Sequence, residues 1–498
     1  MSAFAPSPFQ AAIFNFITHG SGSAIVEAVA GSGKTTTITH AVKLIPKNQT
    51  VLMLAFNKVI AEELSSRINL PNVEVKTFHS LGFSAYKDAH GTRVKMDNNK
   101  LFRLINDLVD NSDLTTAERT GIGSISKIVK LGKSAGIGTK ILENTEESWM
   151  SVMEHHDVSF TEEGEDLSPI IPICQEILAR SNSLKSIIDF DDMIYMPVQQ
   201  GLKFRKFDWV FVDESQDVSH TQRLMLKALM KPTSRMIAVG DPCQAIYGFR
   251  GADSTAMAGI AEEFSSVTLP LSISYRCPQT VVAEAQKWVS HIQASPAADE
   301  GTVVRMGKYS AEDFSATNVI LCRNVAPLLK FAYGLISRSV PVNMLGRDIG
   351  KGLISLIKTL KAKTIIELDQ KLDEWSDKEM SRLSGKGENE SKMDSVTDKV
   401  DCIKIFISQA TAGQSVQDLI AKIDLFFSDE ANGNITLCTI HRGKGKEWDK
   451  TFILDEHRFF PKWAKKEWMK IQERNIVYVA ITRAKESLIY INSGCFKD

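Results

Sequence analysis

The segment 28–35, AVAGSGKT, constrains this chain more than any other. It follows a short β-rich run at 24–26 and precedes a helix-compatible stretch at 36–44. Strand, glycine-rich turn and helix in that order make a P-loop, whose inward backbone N–H groups cradle phosphate oxygens. Gly31 and Gly33 supply the backbone freedom, and Ala28, Val29, Ala30 and Ser32 complete the loop. Lys34 is placed to reach the β- and γ-phosphates of ATP, the Thr35 hydroxyl to ligate Mg²⁺, and Thr36 to sit where the helix dipole favours an anion. The first glycine of the usual GxxxxGK(S/T) pattern is Ala28 here. The remaining GxGK(S/T) core arises by chance roughly 0.02 times in a chain of this size, before its setting is counted.

Comparable β-rich runs recur at 51–55, 209–212, 236–239, 319–322 and 451–454. Their continuous apolar character predicts buried parallel strands separated by helices, an α/β chain of βα units. Two stretches lack such runs, 91–185 and 351–430, and are expected to be mainly helical insertions. Within the second, 384–399 (SGKGENESKMDSVTDK) has the Gly, Ser and charge content of a flexible loop. With 498 residues the chain exceeds one hydrophobic core, and length alone gives a prior of about three domains.

A second turn, acidic rather than glycine-rich, follows the run at 209–212: Asp213-Glu214-Ser215-Gln216-Asp217. Alone, such a turn is more often a helix N-terminal signal than a metal site. Beside a P-loop it divides the labour of hydrolysis, Asp213 holding Mg²⁺ and Glu214 taking a proton from the attacking water.

Composition limits the remaining classes. The 59 basic and 60 acidic residues leave a net charge of -1, so a nucleic-acid partner would need a local groove. No basic, apolar leader and no run of about 18 apolar residues is seen, so a cytoplasmic protein is expected, nuclear in a eukaryote, with no membrane partner. Seven scattered cysteines without a CxxC pair predict buried thiols, with no disulfide framework and no zinc or iron-sulfur site.

The motifs taken together resemble superfamily 1 helicases of the UvrD/Rep type. AVAGSGKT and DESQD are joined by 239–252 (VGDPCQAIYGFRGA), 77–82 (TFHSLG), 189–193 (DFDDM), 271–277 (LSISYRC), 439–448 (TIHRGKGKEW) and 477–485 (VYVAITRAK), in the family's order. The TFHSLG, VGDP and YVAITRAK wording is similar to the F-box-helicase and phage-type branches. The resemblance implies two RecA-like P-loop domains with parallel sheets flanked by helices, each carrying a helical insertion. The first would comprise 1–90 and 186–270 with insertion 91–185; the second 271–350 and 431–498 with a small insertion, 351–430.

Residue roles follow from the same resemblance. Gln10 would read adenine, Tyr275 stack on the base, Glu447 contact the ribose, Gln244 sense the γ-phosphate, and Arg276 and Arg483 counter transition-state charge. For the DNA track it implies Phe56, Asn57, Thr77, His79, Tyr247, Phe249, Arg250 and His441. Taken singly, an arginine beside a helix is usually solvated surface and a phenylalanine after a strand usually core. Phe249 stands where many relatives have Trp, and Lys446 and Trp448 where many have Leu and Phe.

The implied activity is that of an ATP-dependent, Mg²⁺-requiring DNA helicase, a hydrolase moving 3′-to-5′ on single-stranded DNA and acting at single-strand/duplex junctions. Replication, recombination or repair proteins are the candidate associates and a monomer the expected state. A translocase that strips bound proteins and unwinds poorly is the nearest alternative, suggested by the small second insertion. A P-loop kinase or nucleotide-dependent regulatory binder is the alternative outside motors. With Lys485 close to Asp498, a fused nuclease is not expected.

Overall fold

Along the apolar runs, alternate residues turn to opposite faces of a strand, and here both faces are covered. Ala24, Val26, Val51 and Met53 pack in one core cluster, whereas Ile25, Leu52 and Leu54 pack in another. Burial on both sides is why the runs read as continuously apolar, the pattern of a parallel sheet between helical layers. The computed structural model describes residues 4–91, 93–110, 122–156, 170–246, 256–384, 390–411, 413–428 and 435–495. The chain divides into two compact units, Met1–Ser272 and Ile273–Asp498.

In the first unit, β1 (Ala24–Ala28), β2 (Val51–Ala55), β3 (Val73–Thr77), β4 (Phe207–Val212), β5 (Met230–Gly240) and β6 (Val267–Leu271) form a 6-stranded sheet. Their order is β3-β2-β4-β5-β1-β6 and every pairing is parallel. Helices α1 (Pro8–His19), α2 (Lys34–Val42) and α3 (Lys58–Ile68) pack on one face through Ile13, Ile38 and Leu64. On the other face lies Phe78, the first residue of α4 (Phe78–His90).

Beyond α4 the chain turns helical: α5 (Lys100–Asp110), α6 (Ile122–Ala135), α7 (Glu146–His155) and α8 (Ile170–Ser183) precede α9 (Asp192–Gln199). Leu101, Ile128, Val129, Trp149 and Ile177 share a core with Tyr86 of α4 and Tyr195 of α9. Residues 95–96 and 187–188 close the insertion as a small parallel pair.

The second unit holds a 7-stranded sheet in the order β7-β13-β12-β8-β11-β9-β10. Its strands are β7 (Thr302–Arg305), β8 (Asn318–Cys322), β9 (Val342–Leu345), β10 (Phe427–Ser428), β11 (Ile435–Thr439), β12 (Trp448–Leu454) and β13 (Ala484–Ile491), again all parallel. Helices α10 (Gln279–Gln286), α11 (Val325–Ile336), α12 (Arg347–Leu360), α13 (Ile365–Ser384), α14 (Glu390–Ser408), α15 (Val416–Phe426), α16 (Ile440–Gly443) and α17 (Glu467–Ile481) complete it. All six β-rich runs of the sequence lie within strands, and the α/β architecture with two parallel sheets is the one expected.

Two expectations need correction. The stretch 384–399 is not a loop where it is described: Ser384 ends α13 and residues 390–399 are the first half of α14. The apolar face that anchors α14 lies mostly downstream, at Val400, Ile403 and Phe406, outside the polar window. Asp398 explains part of that polarity, because its carboxylate caps α11 by accepting from the N–H groups of Val325 (3.0 Å) and Ala326 (2.8 Å). The cysteines are all free, and although five are buried, Cys243 and Cys495 are only half-buried. Among the described residues no helix is long and apolar enough to cross a membrane.

Candidate functional site

Gly31 and Gly33 adopt φ of 71° and 78°, the left-handed region that a side chain disfavours, and Gly33 is the N-cap of α2. Ala28, Val29, Ala30 and Ser32 are buried at the end of β1, and the Val29 N–H donates to the Leu271 carbonyl of β6 (3.1 Å). The Ser32 hydroxyl is buried without a hydrogen-bond partner, the kind of polar atom that a bound phosphate satisfies. Thr35 and Thr36 lie in the first turn of α2, where unpaired N–H groups and the dipole favour an anion.

Lys34 leaves this turn toward the neighbouring strand end, its Nζ 3.2 Å from Glu214 Oε1. Burial alone would lower the ammonium's pKa, but the charges of Glu214, Asp241 and Asp213 outweigh it and raise it. Asp213 follows β4 directly and is buried; desolvation first, and the charge of Glu214 second, push its carboxyl up to about 7. Such a carboxyl gains from a cation beside it. Glu214 has φ 50° and ψ 44°, a left-handed conformation uncommon for any residue but glycine. Strain of this kind survives where surrounding contacts hold it. Here Gln216 donates from Nε2 to Glu214 Oε2.

Three residues not singled out from the sequence belong to the site, two of them in one polar network with Glu214. Gln216 accepts at Oε1 from the Asp241 N–H (3.0 Å), and Asp241 accepts at Oδ2 from Gln244 Nε2 (2.7 Å). Gln244 is therefore linked through Asp241 and Gln216 to Glu214. Asp241, buried after β5, repeats the acid-after-strand signal of Asp213, so the sequence carried it; Gln216 lay within the quoted DESQD. The third is Thr37, whose hydroxyl accepts from Gln10 Nε2 (3.0 Å) while Gln10 Oε1 accepts from the Ser7 N–H (3.0 Å). Gln10 thus ties the start of α1 to α2 and keeps one amide hydrogen and one oxygen lone pair to spare.

In the second unit, Arg276 Nε donates to Glu447 Oε2 (2.5 Å) and Nη1 to the Thr482 carbonyl (3.4 Å). Arg483 is only 1% exposed. Its Nε, Nη1 and Nη2 donate to the Val479 carbonyl (2.9 Å), the Lys446 carbonyl (3.0 Å) and the Thr482 hydroxyl (3.1 Å). The structure thus gathers Arg276, Glu447 and Arg483 around Thr482 and Lys446. Tyr275 beside them is half exposed.

Of the DNA candidates, Phe56 projects from the end of β2 at 46% exposure. Asn57 and Thr77 have structural work: Asn57 Oδ1 caps α3 by accepting from the Ile60 N–H (3.0 Å), and Thr77 forms a capping box with Ser80 on α4. His79 stacks on Phe190, ring centroids 3.9 Å apart, and burial lowers its pKa to about 4, so the ring is neutral at neutral pH. Phe190, itself exposed, belongs to the DFDDM motif and had no assigned role. His441 lies in α16 at the end of β11. Tyr247, Phe249 and Arg250 fall outside the described residues.

Among the described residues no cluster of three or more His, Cys, Asp or Glu could hold a metal alone. A single carboxylate and a hydroxyl suit Mg²⁺, which is commonly bound by one or two protein oxygens together with substrate phosphates.

The sequence is also similar to known proteins. The sequence profile of the UvrD/REP helicase N-terminal domain matches residues 10–265. A probable DNA helicase II homolog of Rickettsia conorii is 22% identical across 95% of this chain and 90% of its own length. The ATP-dependent DNA helicase PcrA of Staphylococcus epidermidis is 22% identical, covering 95% and 81% respectively. The F-box DNA helicase protein 1 of Schizosaccharomyces pombe is 24% identical, covering 93% and 55%.

Proposed function

This chain belongs to the UvrD/REP helicase family, and on that premise we propose that it is an ATP-dependent DNA helicase moving 3′-to-5′ along single-stranded DNA. The observation that carries the reading is the linked chain Lys34–Glu214–Gln216–Asp241–Gln244 beside the P-loop, half-buried at Lys34 and Glu214 and buried beyond them. It sets a cation for phosphate and a carboxylate for water next to one another. Glu214 accepts the proton of the attacking water, and Gln244 relays the state of the phosphate through Asp241 and Gln216. Thr35 and Asp213 are the groups to hold Mg²⁺, which when bound neutralises charge on the phosphate oxygens.

Arg276 and Arg483 are assigned to developing charge on the transferred phosphoryl group. For Arg483 this requires its Nη atoms to exchange the Lys446 carbonyl and Thr482 hydroxyl for phosphate oxygen. Phe56 and the His79–Phe190 pair offer aromatic faces on which bases of any sequence can stack. The domains assigned are 1–90 with 186–270 and 271–350 with 431–498 as the motor domains and 91–185 and 351–430 as insertions, although β10 (Phe427–Ser428), inside the second insertion, joins the edge of the second sheet.

The test is strand displacement on duplexes carrying a 3′ or a 5′ single-stranded tail, with ATP and Mg²⁺. Unwinding of the 3′-tailed duplex alone is expected. Unwinding from 5′ tails only would overturn the polarity. Failure to unwind either, together with removal of proteins from single strands, would favour the translocase that the small second insertion suggests.

A further inference from the structure

Trp288 and Phe460 stack on each other at the surface of the second unit, ring centroids 5.4 Å apart and planes 22° from parallel. They remain 38% and 42% exposed, so the pair is not a core contact. Phe460 has φ 55°, a conformation that is a genuine outlier for a bulky residue and marks a place where surrounding structure enforces it.

A network beneath the pair fixes it. Arg305, at the end of β7, lies with its guanidinium 4.2 Å over the Tyr490 ring and donates both to Glu284 of α10 and to Glu456 of the segment bearing Phe460 (3.3 Å each). Glu284, nearly buried, also accepts from Tyr490 (3.1 Å) and Lys287 (2.5 Å). One arginine therefore clamps the helix that leads to Trp288 to the turn that carries Phe460.

The place in the fold separates this pair from the nucleotide residues. Glu447 precedes β12 and Phe460 follows it; the strand has 7 residues, roughly 20 Å of chain. Likewise Arg276 precedes α10 and Trp288 follows it. The pair instead shares the C-terminal edge of the sheet with His441, which follows β11. Strands β11 and β12 flank β8 on either side, so their ends stand two strand spacings apart, roughly 10 Å.

We propose that Trp288 and Phe460 form a base-stacking ledge for single-stranded DNA on the second unit, with Lys462 contacting phosphate. The proposal rests on the DNA-directed reading above. Charge supports this occupant: the segment 456–466 (EHRFFPKWAKK) carries His457, Arg458, Lys462, Lys465 and Lys466 against the single acid Glu456. Arg458 is held by Asp455 and Lys465 by Glu390, whereas Lys462, two residues from Phe460, is exposed to solvent. Interleaved aromatic and basic side chains at a surface are what a strand with stacked bases and a charged backbone requires.

The test measures binding of a labelled oligothymidylate by fluorescence anisotropy to the full chain and to Trp288→Ala/Phe460→Ala. The double variant should bind about 5- to 150-fold more weakly at an unchanged thermal midpoint, and Trp288→Phe alone should retain most of the affinity. Lys462→Gln should reduce the slope of log affinity against log salt by about 0.7. On the unaltered protein, photo-crosslinking with 5-iodouracil oligonucleotides should mark Trp288 or Phe460, which keeps the test valid if the double variant misfolds. Wild-type affinity in a folded double variant, or crosslinks that never reach either residue, would overturn the ledge and leave the DNA reading standing. A wild-type chain that binds no oligonucleotide would overturn both.

Discussion

At Glu214 the backbone is left-handed, the carboxylate is held by Lys34 and Gln216, and burial, with the charge of Glu214, pushes the pKa of the neighbouring Asp213 up to about 7. If Glu214 is the base, Glu214→Gln keeps the shape and the hydrogen-bonding reach but loses the proton acceptor. Phosphate release should fall about 10²- to 10⁴-fold while a fluorescent ATP analogue still binds. A second residue-scale prediction concerns His79. Its pKa in the folded chain, about 4, lies below the ordinary 6.5, so the unfolded chain binds more protons between those values. Stability should therefore fall as pH drops from about 6.5 towards 4, and His79→Gln should flatten that part of a urea-midpoint profile. Lys34, Asp213 and Glu214 were legible in the sequence because each follows an apolar strand in a motif that few other arrangements satisfy. The inward turn of Arg483 was not, since it depends on carbonyls at Val479 and Lys446 whose approach is a tertiary fact.

Among the elements, the insertion is tied to the first sheet's surroundings by buried charge. Lys100 of α5 donates to Asp192 (2.7 Å) and the Ser181 carbonyl (2.8 Å), and Lys133 of α6 to Asp189 (2.9 Å) and Asp192 (2.7 Å). Asp189 and Asp192 also accept each other's N–H groups, fixing the turn that displays Phe190. Both lysines are 1% exposed, so their partners have no water to fall back on. Lys133→Met should cost about 3–5 kcal/mol in urea unfolding, because it strands buried carboxylates rather than merely removing a contact. The strands were readable from their two-sided apolar runs. The helical character of 390–399 was not, because a window rich in Ser, Asp and Lys hides a helix whose anchoring residues lie further along. The DFDDM motif was visible as a string, yet its role as a charge lock depends on Lys100 and Lys133, which are distant in sequence.

For the whole molecule, two parallel sheets in separate units, one carrying the P-loop and acid network and the other the paired arginines, suit a machine that converts hydrolysis into movement. The near-zero net charge means that affinity for DNA must come from local cations and aromatic faces. Salt dependence should then be modest, each phosphate contact contributing about 0.7 to the slope of log affinity against log salt for a single strand. The central claim is that nucleotide hydrolysis at Lys34 and Glu214 answers to a bound strand. Its most direct test is the rate of ATP hydrolysis with Mg²⁺ in the absence of nucleic acid and with matched single-stranded DNA, duplex DNA or RNA. Single-stranded DNA should raise the rate well above the other three conditions, and Lys34→Ala should abolish the response; a rate indifferent to single-stranded DNA, or a full response in Lys34→Ala, would contradict the account.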